Sequence, residues 1–170
     1  PVGQRMAGLA QSVAAACAGP MDQARALILC ALGEAIEAPA LLGGDQLQGF
    51  ERSYARHLIH ADPQGRFSIV SIVWRPGQFT PVHGHHVWCA YAVVTGRLHE
   101  ERYAWIRDQN LAEIHDSGDR STGDTRFDYA GVDGAHRLGN HSDTEAVSLH
   151  VYGVDGPRVA THVNRIVATV

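Results

Sequence analysis

Lysine is absent from this chain of 170 residues, and all 14 of its basic residues are arginines scattered along the sequence. The formal net charge is −4 at pH 7, and no run of basic residues occurs. Proteins that bind nucleic acid or anionic membranes usually concentrate positive charge in a patch or stripe. The sequence therefore gives no support for either kind of partner.

Cysteines and long apolar runs are also scarce. The 3 cysteines, Cys17, Cys30 and Cys89, are far apart and odd in number, so no disulfide framework is expected. A reducing cytoplasm is the default location for such a chain. No apolar run approaches the length of a membrane-spanning helix. We therefore expect a cytoplasmic protein without a membrane partner.

Histidine, by contrast, is abundant, with 11 residues. This number invites a search for a metal site, although most of these histidines must have other roles. The composition is otherwise that of a globular protein, with 45% hydrophobic and 19% charged residues. The length allows one domain with a sizeable core, and we expect residues 1–170 to form it.

Residues 1–57 have the pattern of a helical region. Alanine-rich segments at 4–18, 22–37 and 45–57 are separated by Gly19-Pro20 and by the breakers from Pro39 to Gly44. In the second segment, apolar residues recur at helical spacing: Ala24, Leu27, Ile28, Ala31, Leu32 and Ala35. We expect these helices to pack on a β-domain, with no chemical role before Tyr54.

From Arg66 onwards the hydrophobic period becomes that of strands. Residues 66–74 form a largely apolar run, as in a buried strand. Polar turns separate the further β-like runs, which lie at 79–85, 87–95, 98–106, 111–115, 125–130, 136–140, 146–152 and 158–168. Many short strands are typical of a sandwich or barrel. The prediction is a mainly β protein, with a barrel over 66–170 and an N-terminal helical cap.

The stretch from Gly77 to Gly96 carries the most specific pattern. His83 and His85 are separated by one residue in a β-like run. Alternate residues of a strand project from the same face, so the two imidazoles point to one place. Such a pair needs only one more ligand from elsewhere in the chain to hold a metal ion.

This stretch resembles the first cupin motif, G-x5-H-x-H-x3-4-E-x6-G, with Cys89 in the position of the glutamate. That substitution resembles the thiol dioxygenases, a cupin branch in which three histidines hold iron without a carboxylate. The resemblance covers roughly residues 50–155 and implies a cupin (jelly-roll) β-barrel with an Fe(II) cofactor. Two departures are Gly84, where the family usually has Asp, and the additional His86.

Two histidines, His136 and His141, are candidates for the third ligand. The second cupin motif ends in H-x3-N, which His136 and Asn140 match and His141 does not. The resemblance therefore implies a metal site of His83, His85 and His136, and it leaves His141 on the surface.

Ser148, His150 and Tyr152 alternate along a predicted strand and so share one face. Taken alone, such a row is more typical of the polar mouth of a barrel. The thiol dioxygenases carry a Ser-x-His-x-Tyr triad after the third ligand, which implies that this row orients substrate and oxygen. Cys89 and Tyr152 also match the cysteine and tyrosine that are crosslinked in animal cysteine dioxygenases.

Tyr54 and Arg56 match a Tyr-x-Arg that ends the helical region of cysteine dioxygenases, where the arginine holds the substrate carboxylate. A guanidinium suits this task because its planar fork donates two parallel hydrogen bonds. A bacterial branch that acts on 3-mercaptopropionate tends to have glutamine in place of Arg56, and it normally has glycine in place of Cys89. Arg56 therefore favours L-cysteine.

These resemblances imply a non-haem Fe(II) thiol dioxygenase that converts L-cysteine and O2 to cysteine sulfinate. Three alternatives stay open: a 3-mercaptopropionate dioxygenase, a non-catalytic cupin that senses a small ligand, and a zinc hydrolase or isomerase. The zinc enzyme lacks an evident general base, because Glu100 and Glu101 are expected on a solvated face. The expected partners are a small thiol and O2, and the chain is expected to be a monomer or small homo-oligomer.

Overall fold

The computed structural model describes residues 2–38 and 40–170, so Pro39 of the predicted breaker lies outside the described residues. Helices α1 (Val2–Ala16) and α2 (Met21–Glu37) precede a short 3-10 turn at Gly44–Leu47 and 10 strands. Neither helix of this described part is long and apolar enough to cross a membrane. The prediction of a mainly β protein with an N-terminal helical cap is confirmed.

The strands form two antiparallel five-stranded sheets, with the orders β1-β2-β9-β4-β7 and β10-β3-β8-β5-β6. In chain order they are β1 (Ala55–Ala61), β2 (Ser68–Trp74), β3 (His83–His85), β4 (Cys89–Thr95), β5 (Arg97–Ile106), β6 (Leu111–Ser121), β7 (Thr125–Asp128), β8 (Gly131–Gly139), β9 (Ala146–Tyr152) and β10 (Asn164–Ile166). The first sheet packs against the helices on one face and against the second sheet on the other.

The central strands β2, β9 and β4 are buried on both faces, which explains their nearly continuous apolar sequence. On β2, Ile69 belongs to the core beneath the helices, together with Ile28 of α2. On the same strand, Ile72 faces the interior between the sheets, in a cluster with Leu98 and Leu138 of the second sheet. Full burial of each such side chain contributes about 1.5–3 kcal/mol to folding. Polar residues on the interior face are therefore exceptions that call for a specific role.

The predicted helix at 45–57 is wrong. Its residues form the 3-10 turn at Gly44–Leu47, an irregular segment, and the start of β1 at Ala55. Leu47 and Phe50 of this segment are both exposed, so its large apolar side chains are not buried against a core. The backbone instead pairs with the edge of β2, where Ala55 lies opposite Val73. Pairing with an existing sheet outweighs a weak helical propensity.

Three other boundaries differ from the sequence prediction. Strand β6 continues to Ser121 through the polar run at 116–123 that was predicted to be a turn, because it pairs along the whole of β5. Strand β8 begins at Gly131, inside another predicted turn. The run at 158–168 contains only the short β10, after a 3-10 turn at Gly156–Arg158.

Candidate metal centre

The structure brings the imidazoles of His83, His85 and His136 together inside the barrel. Each residue offers one ligand atom, and these atoms all lie within 4.8 Å of one another. His83 and His136 are direct register partners on β3 and β8, while His85 follows on the same strand as His83. All three side chains are buried. His141 lies elsewhere, exposed and packed against the rings of Phe79 and His99.

Hydrogen bonds orient two of these rings. The Pro81 carbonyl lies 2.9 Å from Nδ1 of His83, and a Glu100 carboxylate oxygen lies 2.8 Å from Nδ1 of His136. Both oxygens are acceptors, so each Nδ1 carries the hydrogen and each Nε2 keeps a free lone pair. This tautomer is the one that metal-ligating histidines adopt when their second nitrogen is held by an acceptor.

The electrostatics of the trio suit a divalent cation. Burial, together with the neighbouring His136, lowers the pKa of His83 to about 3 and that of His85 to about 2. Both rings are therefore neutral and able to ligate at pH 7. Nδ1 of His85 is buried without a hydrogen-bond partner. Buried nitrogens rarely lack one, and a cation bound at this nitrogen would supply the missing partner.

Glu100 was expected on a solvated face, and this expectation is wrong. Its side chain has no exposed surface, and besides His136 it accepts a hydrogen bond from Nε of Arg120 at 2.8 Å. Burial acts to raise the pKa of Glu100, but the hydrogen bonds from His136 and Arg120 outweigh it and hold the pKa below its usual range. One sequence signal could have found it, because Glu100 alternates with the apolar Leu98 and so shares its inward face.

Ser148, His150 and Tyr152 form a continuous row on the interior face of β9. Ser148 Oγ lies 2.8 Å from Nε2 of His150, and the Tyr152 hydroxyl lies 3.2 Å from its Nδ1. Trp74, which sequence reasoning did not single out, extends the row by donating from Nε1 to Ser148 Oγ at 2.8 Å. Burial lowers the pKa of His150 well below its ordinary value and raises that of Tyr152, so both groups are neutral.

The donor at Trp74 fixes one role in this row. An indole nitrogen can only donate, so Ser148 Oγ accepts from Trp74 and has its own hydrogen free to donate to Nε2 of His150. When Ser148 donates in this way, a neutral His150 carries its hydrogen on Nδ1 and donates to the Tyr152 oxygen. The hydroxyl hydrogen of Tyr152 is left to point to a group outside the row, and His83, His85 and His136 line the same pocket.

Cys89 lies directly opposite Tyr152 in the register of β4 and β9. Directly opposed residues of an antiparallel pair have β-carbons about 4.5–5.5 Å apart on the same face of the sheet. Burial raises the pKa of the Cys89 thiol well above its ordinary value, so the group is protonated. The two residues that the resemblance links are therefore neighbours in the fold.

Arg56 and Tyr54 line the same pocket, Arg56 from β1 and Tyr54 from the residue just before that strand, and not from the predicted helix. Arg56 lies opposite Ile72 on β2, and its guanidinium carbon is 5.5 Å from the centre of the Tyr152 ring. Its Nη2 donates to the carbonyl of Val159 at 3.2 Å. The ring of Tyr54 packs on that of Trp74, with 4.7 Å between their centres.

The space beside the three histidines is small, with a volume of about 20 Å³. Arg56 also lines a second cavity of about 380 Å³, together with Leu58 and Val159. The Arg56 side chain thus forms the wall between the inner space and a larger outer one. A cavity of about 480 Å³ between α1 and β1 is larger still, but it contains none of these histidines and belongs to the helical cap.

Gly84, the departure between the two histidines of β3, has a steric cause. A β-carbon at Gly84 would run into the carbonyl oxygen of Gly131 on the paired strand β8. Gly131 itself has a φ of 127°, which a residue with a side chain rarely adopts. The close approach of these two backbones explains why this chain has no aspartate at position 84.

Solved structures with the same fold include several proteins of low sequence identity. One is an uncharacterised Klebsiella pneumoniae protein with a double-stranded β-helix domain, at 15% identity and a TM-score of 0.52, covering 66% of this chain and 86% of that one. Another comes from Thermus thermophilus, at 20% identity and a TM-score of 0.50, covering 64% of this chain and 91% of that one. A third is an oxalate oxidase in complex with glycolate, at 17% identity and a TM-score of 0.51, covering 71% of this chain and 62% of that one. These likenesses show the cupin fold.

The family is shown by a sequence comparison. The family model for cysteine dioxygenase type I matches residues 49–162, which is more than half of the chain. The matched span includes the three buried histidines, Arg56, and the row that ends at Tyr152. The chain therefore belongs to the cysteine dioxygenase type I family.

Proposed function

We propose that this protein is a non-haem Fe(II) thiol dioxygenase whose substrate is L-cysteine and whose product is cysteine sulfinate. The observation that carries the proposal is the trio of buried imidazoles with the Arg56 guanidinium on the wall of the same pocket. The reaction joins both atoms of O2 to the substrate sulfur, so R–SH and O2 become R–SO2H. No other oxidant or reductant is needed for this balance.

His83, His85 and His136 would hold the iron, and its chemistry would be to bring the thiolate and O2 together and activate the oxygen. Three imidazole ligands add no negative charge, so a thiolate, which brings its own charge and a soft sulfur, is a matching ligand. The same donors also suit zinc, nickel and copper. The family, whose members depend on a metal and act on thiols, favours iron among these.

Arg56 would bind the substrate carboxylate. Its guanidinium keeps donors free beyond the one bonded to the Val159 carbonyl, and a carboxylate can accept two parallel hydrogen bonds from them. Because Arg56 separates the inner pocket from the outer cavity, the carboxylate would lie towards the outer side and the sulfur towards the histidines.

The row that begins at Trp74 would orient the substrate and oxygen through Tyr152. With Trp74, Ser148 and His150 donating in sequence, the Tyr152 hydroxyl has its hydrogen available for an acceptor in the pocket. A neutral donor in this place can stabilise negative charge that develops on oxygen or sulfur during the reaction. Cys89, opposite Tyr152, limits where that phenol ring can lie.

3-Mercaptopropionate is a second candidate substrate, and one observation favours it. Among the described residues that line the inner pocket there is no aspartate or glutamate, so the ammonium group of cysteine would find no carboxylate partner there. A thiol acid without an amino group avoids this cost, because a charged group buried without a partner is strongly unfavourable.

Oxygen uptake by the Fe(II)-loaded protein, measured with L-cysteine and with 3-mercaptopropionate, tests the proposal. Sulfinate is quantified in the same reactions. Faster turnover of L-cysteine, with sulfinate formed in proportion to oxygen consumed, is the expected result. Preference for 3-mercaptopropionate would keep the enzyme class and replace the substrate. Absence of uptake with either thiol would contradict the proposal and favour a cupin that binds a small ligand without turnover.

A further inference from the structure

We propose that Glu100 is a positioning residue that holds His136 in the tautomer and orientation needed for metal binding. The inference rests on the proposed metal centre at His83, His85 and His136. It adds a residue that lies outside that trio and does not touch the substrate pocket.

The contact between Glu100 and His136 is direct and fully buried. Glu100 Oε1 lies 2.8 Å from Nδ1 of His136, and the Glu100 side chain has no exposed surface. A carboxylate oxygen can only accept, so it keeps the hydrogen of His136 on Nδ1 and the lone pair on Nε2. The lone pair then faces the nitrogens of His83 and His85.

Arginines hold the carboxylate itself in place. Nε of Arg120 lies 2.8 Å from Oε2, and Nη1 of Arg102 lies 3.3 Å from the same Oε1 that binds His136. Arg126 adds an ion pair at 3.7 Å. Arg102 is in turn fixed by Asp128, with Nη2 donating to Oδ1 at 2.8 Å. The Glu100 carboxylate therefore has little freedom to rotate away from His136.

The same geometry argues against a second cation at Glu100 and Asp128. Acceptor atoms of Glu100, Asp128 and His136 also lie within 4.8 Å of one another, as in a metal site. However, guanidinium groups already lie on both carboxylates, with Arg120 on Glu100 and Arg102 on the two together. Positive charge at this place is supplied by the protein, so the cluster serves to support His136.

The substitution Glu100→Gln tests the inference without changing side-chain size. In the native chain each of the two carboxylate oxygens accepts from a donor, and a glutamine can offer an oxygen at only one of its two ends. Arg120 and Arg126, at one oxygen, can only donate, whereas Nδ1 of His136, at the other, can accept once its hydrogen moves. The NH2 group therefore faces His136, and the hydrogen moves to Nε2, where it blocks metal binding.

Glu101→Gln is the matched control. Glu101 is the next residue on β5, but it faces the opposite side of the sheet and binds Arg137 and the Tyr103 hydroxyl. The same replacement of glutamate by glutamine is thereby made on the same strand, but on the face that points away from the barrel interior. Loss of a charged surface contact should leave metal binding unchanged.

Metal affinity is measured on metal-free protein by competition with a chelator for Co(II) and Fe(II). We expect Glu100→Gln to weaken binding by about 10- to 100-fold, the usual effect of removing a group that orients a metal ligand. Equal affinities of wild type and Glu100→Gln would overturn the inference and leave the metal centre intact. Absence of metal binding by the wild type would instead overturn both proposals.

A second measurement separates positioning from a general structural role and does not depend on the variant folding. Nitrogen NMR of the histidine side chains of metal-free wild type reports which nitrogen of His136 carries the hydrogen. The inference requires the Nδ1–H form, and a predominant Nε2–H form would overturn it. Metal binding to the folded protein raises its Tm. In Glu100→Gln we expect this rise to decrease by more than the Tm of the metal-free protein decreases.

Discussion

Trp74 donates a hydrogen bond from Nε1 to Ser148 Oγ at 2.8 Å, across the neighbouring strands β2 and β9. Because an indole cannot accept, Ser148 Oγ accepts in this contact and keeps its own hydrogen for His150. With Ser148 donating to His150, the neutral imidazole donates in turn to Tyr152. A tryptophan remote from the sulfur position would thereby make the Tyr152 hydroxyl a donor to the pocket.

The substitution Trp74→Phe should lower kcat by about 3- to 10-fold and change KM for the thiol much less, because a single buried hydrogen bond contributes roughly 1 kcal/mol. Without the indole donor, Ser148 can reverse its hydrogen, and Tyr152 no longer has a fixed role. Steady-state kinetics of oxygen uptake measure this effect. Trp105→Phe, in a separate small cluster on β5, is the control for loss of an indole. Equal kcat values in both variants would show that Trp74 serves packing alone.

Arg56→Ala should raise KM for L-cysteine by about 10- to 100-fold, because charge-assisted hydrogen bonds contribute about 1.5–3 kcal/mol. Metal content should not change, since the hydrogen bond that the structure describes for Arg56 goes to the Val159 carbonyl and not to one of the three histidines. Cysteamine, which has no carboxylate, is the substrate control and should show the same kinetics with both proteins. Arg52→Ala, at an exposed arginine nearby, is the control variant. An unchanged KM for L-cysteine would remove Arg56 from the substrate site.

His136→Ala should lose bound metal, and His141→Ala should retain it. His136 is buried among the other two imidazoles, whereas His141 is exposed and packs on Phe79. Removal of one ligand from a set of three leaves a pair that holds divalent metals weakly. Metal content after gel filtration, measured by elemental analysis, distinguishes the two variants. Retention by His136→Ala and loss by His141→Ala would reverse the assignment of the third ligand.

Gly84→Asp, which restores the residue usual in the family, should destabilise this particular chain. The added β-carbon meets the Gly131 carbonyl, so β3 and β8 must move apart at a cost of about 1–3 kcal/mol. Urea unfolding measures the loss. Gly118→Ala is the control, because a β-carbon there has its nearest neighbour at 3.9 Å, an ordinary contact. Full stability of Gly84→Asp would show that the two backbones adjust freely.

Asp62 should contribute to stability in a manner that depends on pH. The hydrogen bond from Arg66, at 2.7 Å, lowers the pKa of Asp62 to about 2 in the folded protein. Its unfolded pKa is about 3.9, so the contribution is present above about pH 4 and is lost as the pH falls towards about 2. We expect about 1 kcal/mol, because Arg66 is partly exposed and water screens the pair.

The comparison of wild type with Asp62→Asn in urea at pH 7 and at pH 2.5 measures this contribution. The variant should be less stable at pH 7, and the difference should shrink at the lower pH. Asp116→Asn, at an exposed position on β6, is the control and should show no such change. A difference in the free energy of unfolding that stays constant with pH would mean that the Asp62 carboxylate does not form the expected ion pair with Arg66.

The sequence predicted the residues that local pattern can specify. Alternation along a strand placed His83 and His85 on one face, and the same rule placed Ser148, His150 and Tyr152 on another. The position of His136 came from a family motif, and the fold brings it opposite His83. Arg56 reaches the predicted pocket although its segment was assigned to a helix, because strand pairing with β2 aims it inward.

Alternation along β5 indicates that Glu100 shares the inward face of Leu98, but its role and that of Trp74 could not be found in this way, because both roles depend on residues far along the chain. Glu100 is separated from His136 by 36 positions, and Trp74 from Ser148 by 74. A glutamate in a polar strand is usually solvated. The burial of Glu100 is stabilised by the arginines that β5, β6 and β7 place around it. Such three-dimensional neighbourhoods have no periodic signal in a single sequence.

Labelling with isotopic oxygen tests the proposed reaction most directly. The Fe(II)-loaded protein is supplied with L-cysteine under ¹⁸O2, and the sulfinate product is analysed by mass spectrometry before exchange with water can occur. We predict that both sulfinate oxygens carry the label and come from the same O2 molecule. A sulfinate with one labelled oxygen or none, or the formation of cystine and hydrogen peroxide in its place, would contradict a dioxygenase.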